Sequence, residues 1–121
     1  SRDFTYIDDI VEGIVRILAS PARPSERWDA ITPNPSLADE PYRVYNIGSN
    51  NPQSLMRYIK VLENCLGKKA DKNMLPMQAG DVKDTFADVS ELMNAVGYQP
   101  TTSIELGIEN FIDWYKAYYK I

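Results

Sequence analysis

Histidine is absent from the chain, and cysteine occurs once. Without an imidazole, histidine-based catalytic triads, histidine proton relays and the usual zinc sites are excluded. Cys65 has no intrachain partner for a disulfide and falls on the apolar face of a helical repeat, where a small buried hydrophobe is expected. Long hydrophobic runs are missing too. The longest helical apolar stretch, Ile10 to Leu18, is broken by Glu12 and Arg16, so no membrane span or signal peptide is expected, and a cytoplasmic location follows by default. Positive charge is in deficit: 13 basic against 17 acidic residues give a net charge of −4, which argues against a general polyanion-binding surface and against nucleic acid as a partner.

What remains is ordinary globular composition. At 121 residues, 44% hydrophobic and 25% charged, the chain is long enough for one domain with a core. It opens without methionine, directly in a run of strand formers, which fits a piece of a longer chain. Phe4 to Ile7 suits a buried strand. Asp8 is placed to cap a helix and Asp9 to complement its dipole, and Ile10, Val11, Ile14, Val15 and Leu18 then recur at helical spacing. Pro21 sets the end near Ala19 or Ser20.

From Pro21 to Pro41 the chain holds five of its eight prolines, so this segment is expected to be a surface excursion, with Trp28 pinning it to the body or lying over a ligand. Tyr42 to Ile47 carries strand formers on both faces, as a strand covered on two sides does, and Gly48 permits a tight exit. Ser54 caps the next expected helix, whose apolar positions are Leu55, Ile59, Leu62 and Leu66, and Gly67 ends it.

Lys68 to Lys72 reads as a solvated connector, Asn73 to Pro76 as a short edge strand, and Met77 to Val82 as a loop in which Gly80 admits a close ligand. Thr85 to Ala87 suits another short strand. Asp88 to Glu91 and Thr102 to Glu105 have capping-box spacing. The first box opens a helix with Val89, Leu92, Met93 and Val96 inward and Gly97 as its stop. The second opens a helix whose stripe of Ile104, Ile108, Phe111, Tyr115 and Tyr118, flanked by Trp114 and Tyr119, is expected in the core.

One residue suggests chemistry by position alone. Arg2 stands beside a strand end and near a helix N-terminus, where it can clamp a phosphate bidentately, or else pair with Asp3 or another surface carboxylate. Asp81 follows Gly80, which is common turn chemistry as well as a possible ligand contact.

Arg2-Asp3-Phe4-Thr5-Tyr6-Ile7-Asp8-Asp9-Ile10, with Val11-Glu12-Gly13-Ile14 behind it, resembles a signature of the nucleotide-sugar epimerases of the extended short-chain dehydrogenase/reductase family, above all the UDP-glucuronate 4-epimerases. Three further segments resemble the same family in the same order: Tyr42 to Gly48 with Asn50-Asn51-Pro52, Leu75 to Val82, and Tyr98 to Glu105 with the Trp114-Tyr115 helix.

The resemblance implies an α/β fold, the C-terminal fragment of a Rossmann-like NAD(P)-binding extended short-chain dehydrogenase/reductase: residues 1–54 would end the sheet, and residues 55–121 would form most of the small substrate-binding lobe. It implies a UDP-sugar as ligand, with Arg2 on the diphosphate, Asp81 accepting from the ribose hydroxyls, Gln78 where related galactose epimerases carry a second phosphate-binding arginine, and Thr85 at a position lining the sugar pocket. The parent would interconvert UDP-glucuronate and UDP-galacturonate by NAD-dependent oxidation and reduction at C4, as a homodimer. The chain has no glycine-rich dinucleotide fingerprint and no Tyr-x-x-x-Lys pair, so NAD would be bound by a missing N-terminal part and no catalytic residue is expected here. Such a fragment, inactive alone, is expected to self-associate through exposed sheet edges and apolar helix faces. A non-catalytic nucleotide-sugar-binding or interaction module, and a fragment of a nucleotide-sugar dehydratase or decarboxylase, are the alternatives.

Overall fold

The computed structural model describes residues 1–121. Four helices follow one another: α1 (Ile7–Leu18), α2 (Leu55–Leu66), α3 (Ser90–Val96) and α4 (Ile104–Tyr119). They pack in interleaved pairs, α1 on α3 and α2 on α4. None of them is long and apolar enough to cross a membrane.

Each pair has its own small core. Between α2 and α4, Val61 meets Ile108 and Ile112, with Tyr58, Leu62, Cys65 and Ile104 packed around them. Ile104, Ile108 and Ile112 are spaced by four, so they form one row along α4. The second core joins Val89, Leu92 and Tyr98 to Ile17 of α1 and to Tyr45 and Ile47. Tyr98 is fully buried, and its hydroxyl donates to the Gly48 carbonyl at 2.9 Å.

The helix ends follow the sequence in part. Ser54 caps α2 by accepting from the Arg57 N–H at 3.2 Å, and Gly67 ends it at φ 65°. Gly97 ends α3 in the same left-handed region. Asp8 is not the cap of α1, however: that helix begins at Ile7 with Tyr6 as an uncapped N-cap residue. Asp8 and Asp9 lie in its first turn, where the dipole favours them, and the Asp9 carboxylate accepts from the Thr101 and Thr102 N–H groups instead.

Neither capping box closes. Glu91 turns away to the proline-rich segment, accepting from Ser36 Oγ at 2.8 Å and Asn34 Nδ2 at 3.3 Å. Glu105 pairs with Arg57 across the α2–α4 interface at 2.8 Å, while Ser103, not Thr102, caps α4. In both cases the acidic side chain finds a long-range partner that the local pattern does not contain.

The expected strands are the main correction. Phe4 to Ile7, Tyr42 to Ile47, Asn73 to Pro76 and Thr85 to Ala87 belong to no ladder, and the one β-pairing is an antiparallel bridge between Arg2 and Gln53. Strand propensity favours an extended backbone, but a ladder needs a neighbouring strand in register. Here the segments are joined through a side chain: Asp3 accepts from the Asn50 and Asn51 N–H groups, each at 3.1 Å, and from the Ala87 N–H at 3.3 Å. Tyr42 and Val44 are correspondingly exposed rather than covered on two sides.

The aromatic stripe of α4 is also not core. Phe111, Trp114, Tyr115, Tyr118 and Tyr119 are exposed and stack on one another, with ring centroids from 4.6 to 6.0 Å apart. The isoleucine row takes the contact with α2, which leaves the rings of the last turns without a partner. Trp28 is half-buried in the proline-rich segment.

Candidate functional site

The bridge to Gln53 fixes where Arg2 stands. Arg2 N donates to the Gln53 carbonyl at 3.0 Å and Gln53 N to the Arg2 carbonyl at 2.8 Å, which sets Arg2 beside the start of α2. Opposite lies the loop that carries Asp81. Ser1, Arg2, Leu55, Met77, Asp81, Val82 and Lys83 line a cleft of about 380 Å³ between these elements.

Arg2 and Asp81 meet directly in this cleft. The guanidinium Nη2 donates to Asp81 Oδ1 at 3.0 Å, and Nη1 donates to the Ser1 carbonyl at 3.0 Å and the Lys83 carbonyl at 3.1 Å. The partner of Arg2 is therefore a distant carboxylate and not the adjacent Asp3. Asp81 also has its turn: its N–H donates to the Gln78 carbonyl at 3.2 Å, its Oδ1 accepts from the Val82 N–H at 2.9 Å, and Gly80 before it sits at φ 88°. Both side chains of the pair are open to solvent, at 37% and 51% exposure, so a ligand can reach either partner.

The other two candidates lie outside the lining. Gln78 is exposed and contributes its carbonyl to the Asp81 turn. Thr85 is half-buried behind Arg2: its Oγ1 accepts from the Asp3 N–H at 3.2 Å, and its N–H donates to the Ser1 carbonyl at 3.2 Å. Next to it, Asp84 accepts from the Ser1 ammonium at 2.8 Å and the Ser1 hydroxyl at 2.6 Å, which lowers its carboxyl below the ordinary range.

Sequence reasoning missed Asp3, which gathers three chain segments behind the site. Its only local signal is a carboxylate beside Arg2 in a run of strand formers, and the amide groups it serves are 47, 48 and 84 residues away.

The cleft suits a polyhydroxylated anion. The guanidinium offers paired donors, and the carboxylate accepts from hydroxyls. Two helix N-termini that could hold an anion are already engaged. The α1 N-terminus is occupied by Asp8 and Asp9, and at the α2 N-terminus Ser54 takes the Arg57 N–H while the Arg57 guanidinium pairs with Glu105.

No family model matches the chain. Individual relatives do. The chain is 47% identical over 119 residues to the protein CapI of Staphylococcus aureus, a match that takes in 98% of this chain and 36% of the relative. It is 41% identical over 121 residues to a probable UDP-glucuronate 4-epimerase of Rhizobium meliloti, covering 99% of this chain and 36% of that one. Among solved structures, the UDP-glucuronic acid 4-epimerase of Bacillus cereus in complex with UDP-glucuronic acid and NAD superposes with a TM-score of 0.74 at 33% identity, over 97% of this chain and 32% of that one. The chain thus spans about a third of the length of the relatives it matches. Over nearly all of its own length it is similar, in sequence and in backbone course, to part of the UDP-glucuronate 4-epimerases, which are nucleotide-sugar epimerases of the extended short-chain dehydrogenase/reductase family.

Proposed function

We propose that these residues are the C-terminal piece of a nucleotide-sugar 4-epimerase acting on UDP-glucuronate and UDP-galacturonate, and that their task is to hold the UDP moiety. The observation that carries this reading is the meeting of Arg2 and Asp81 in one cleft, on a chain similar to enzymes of that name. Arg2 binds the diphosphate through its paired N–H donors, and Asp81 accepts from the ribose hydroxyls. Gln78 lies on the same loop, close enough in sequence to add an uncharged hydrogen bond, and Thr85 backs the site where the sugar would begin.

An epimerase must grip the nucleotide while leaving the sugar free to present either face. Residues that bind only the UDP end serve that need, because they stabilise ground and transition states alike and lower KM without touching the chemical step. Oxidation and reduction at C4 belong to NAD and to residues outside this chain. In the longer protein, Phe4 to Ile7 and Tyr42 to Ile47 would gain parallel neighbours and become the last strands of a Rossmann-like sheet within residues 1–54, with residues 55–121 mostly in the substrate lobe and the whole enzyme a homodimer.

The full-length protein tests the reading. Incubation with UDP-glucuronate and NAD should give UDP-galacturonate, identified by NMR of the product, and Arg2→Ala should weaken UDP binding by roughly 10- to 100-fold. Loss of carbon dioxide or water from the sugar would transfer the protein to the decarboxylases or dehydratases. UDP binding with no turnover of any UDP-sugar would make it a binding module.

A further inference from the structure

Glu63, near the end of α2, has a side chain only 8% exposed. A carboxylate so placed must be paired, and all its partners come from the connector that follows the helix. The Ala70 N–H donates to Oε1 at 3.0 Å, Lys69 Nζ donates to Oε2 at 3.2 Å, and Lys72 Nζ donates to Oε1. The Lys68 N–H adds a bond to the Glu63 carbonyl at 3.2 Å. The segment expected to be a solvated turn is therefore folded back onto α2 around one carboxylate. Lys69 remains 83% exposed, but Lys72 is drawn in to 31%.

Beyond Lys72 the chain has little to hold it until the cleft. Residues 73–80 are all exposed, and their one hydrogen bond is the Gln78 carbonyl accepting from Asp81. The course of this stretch is set by its two ends: the Glu63 clamp at Ala70 and Lys72, and the Arg2 pair at Asp81.

We propose that Glu63 is a positioning residue for the nucleotide site: by fastening Ala70 and Lys72 to α2 it confines the free part of the loop to residues 73–80, and so lowers the entropic cost of holding Asp81 against Arg2. This rests on the reading of the cleft as the UDP site. Glu63 touches no ligand, and it acts through the loop.

The test uses the full-length protein with Glu63→Gln, Lys72→Ala and Lys72→Arg. Hydrogen exchange over residues 73–82 is measured beside UDP affinity by calorimetry, melting temperature, and KM and kcat. Glu63→Gln should speed exchange in the loop and weaken UDP by about 5- to 30-fold, with KM rising in step and kcat unchanged. Lys72→Ala should move the same quantities in the same direction, and Lys72→Arg should restore them. If Glu63→Gln leaves UDP affinity and KM unchanged, the proposal is overturned, whether or not the melting temperature falls, because Glu63 is then a stabilising ion pair only. If the unaltered protein itself fails to bind UDP, the functional reading falls and takes this one with it. If the unaltered protein binds UDP and Glu63→Gln binds it equally well, this inference alone is lost.

Discussion

Arg2 and Asp81 are 79 residues apart in sequence and stand 3.0 Å apart in the cleft, guanidinium against carboxylate. The two groups proposed to hold different halves of UDP are thus each other's partners. A diphosphate that takes the guanidinium releases the carboxylate for the ribose, so the two halves of the ligand should bind cooperatively. Arg2→Ala removes the competitor for Asp81. Calorimetry on the full-length protein should then find UDP weakened by roughly 10- to 100-fold, while uridine alone binds no worse than before. An equal loss for both ligands would break the link between the pair and the two ligand halves.

The Glu63 carboxyl is held down to about 2 from an ordinary value of 4.5, first by Lys72, then by the Ala70 N–H and by Lys69. A lowered folded-state value stabilises the protein above pH 4.5 and gives up that stabilisation as the pH falls toward 2. The melting temperature of the unaltered protein should therefore exceed that of Glu63→Gln by a constant margin at neutral pH, and the margin should close across that acid window. A margin that does not change through the window would place the effect in packing and not in charge.

Gly48 lies where two backbones meet. A Cβ there would fall 2.5 Å from the Ala87 Cβ and 2.8 Å from Asp3 Oδ2, both held by their own hydrogen bonds. Gly48→Ala should cost about 1–3 kcal/mol by overpacking. Gly67→Ala, with nothing within 4 Å and only a left-handed φ of 65° to resist it, should cost about 1 kcal/mol. Chemical denaturation of the two variants gives the comparison, and an equal cost for both would contradict the crowding at Asp3.

α1 presents Ile7, Val11, Ile14, Val15 and Leu18 to solvent, each between 48% and 74% exposed. With the exposed rings of α4, this leaves two apolar surfaces that association would cover. The 121-residue chain alone should sediment as a concentration-dependent oligomer, and Val11→Lys with Val15→Lys should shift it toward monomer. A monomeric, cooperatively melting chain would count against its being a piece of a larger fold.

What the sequence revealed and what it hid divide by range. Ser54 with Gly67, and Gly97, act within one helical turn, and a pattern of residue types suffices to find them. Ladders are not legible in this way because pairing depends on partners far along the chain, and Phe4 to Ile7 has the right side chains and no neighbour in register. Glu91 and Glu105 left their capping boxes for Ser36 and Arg57, partners 55 and 48 residues away. Likewise the α4 stripe holds as core at Ile104 and Ile108 and fails at Phe111, Tyr115 and Tyr118, because helical spacing alone does not say that Ile112 continues the buried row and the rings stay out. At the cleft, Arg2 stands out in the sequence as a cation just before a helix, whereas its pairing with Asp81 does not.

The interleaving of the helix pairs bears on how the chain withstands cutting. Since α1 packs on α3 and α2 on α4, a break anywhere between α2 and α3 leaves each product with one member of both pairs. That interval is also the most exposed part of the chain, since every residue from 67 to 84 faces solvent. Neither product can complete a core without the other, while the buried Tyr98 hydroxyl on Gly48 and the Asp3 carboxylate on Ala87 still fasten one product to the other across the gap. A protease that nicks this loop would yield two peptides that remain a single particle, and two such peptides made separately would form a natural complementation pair.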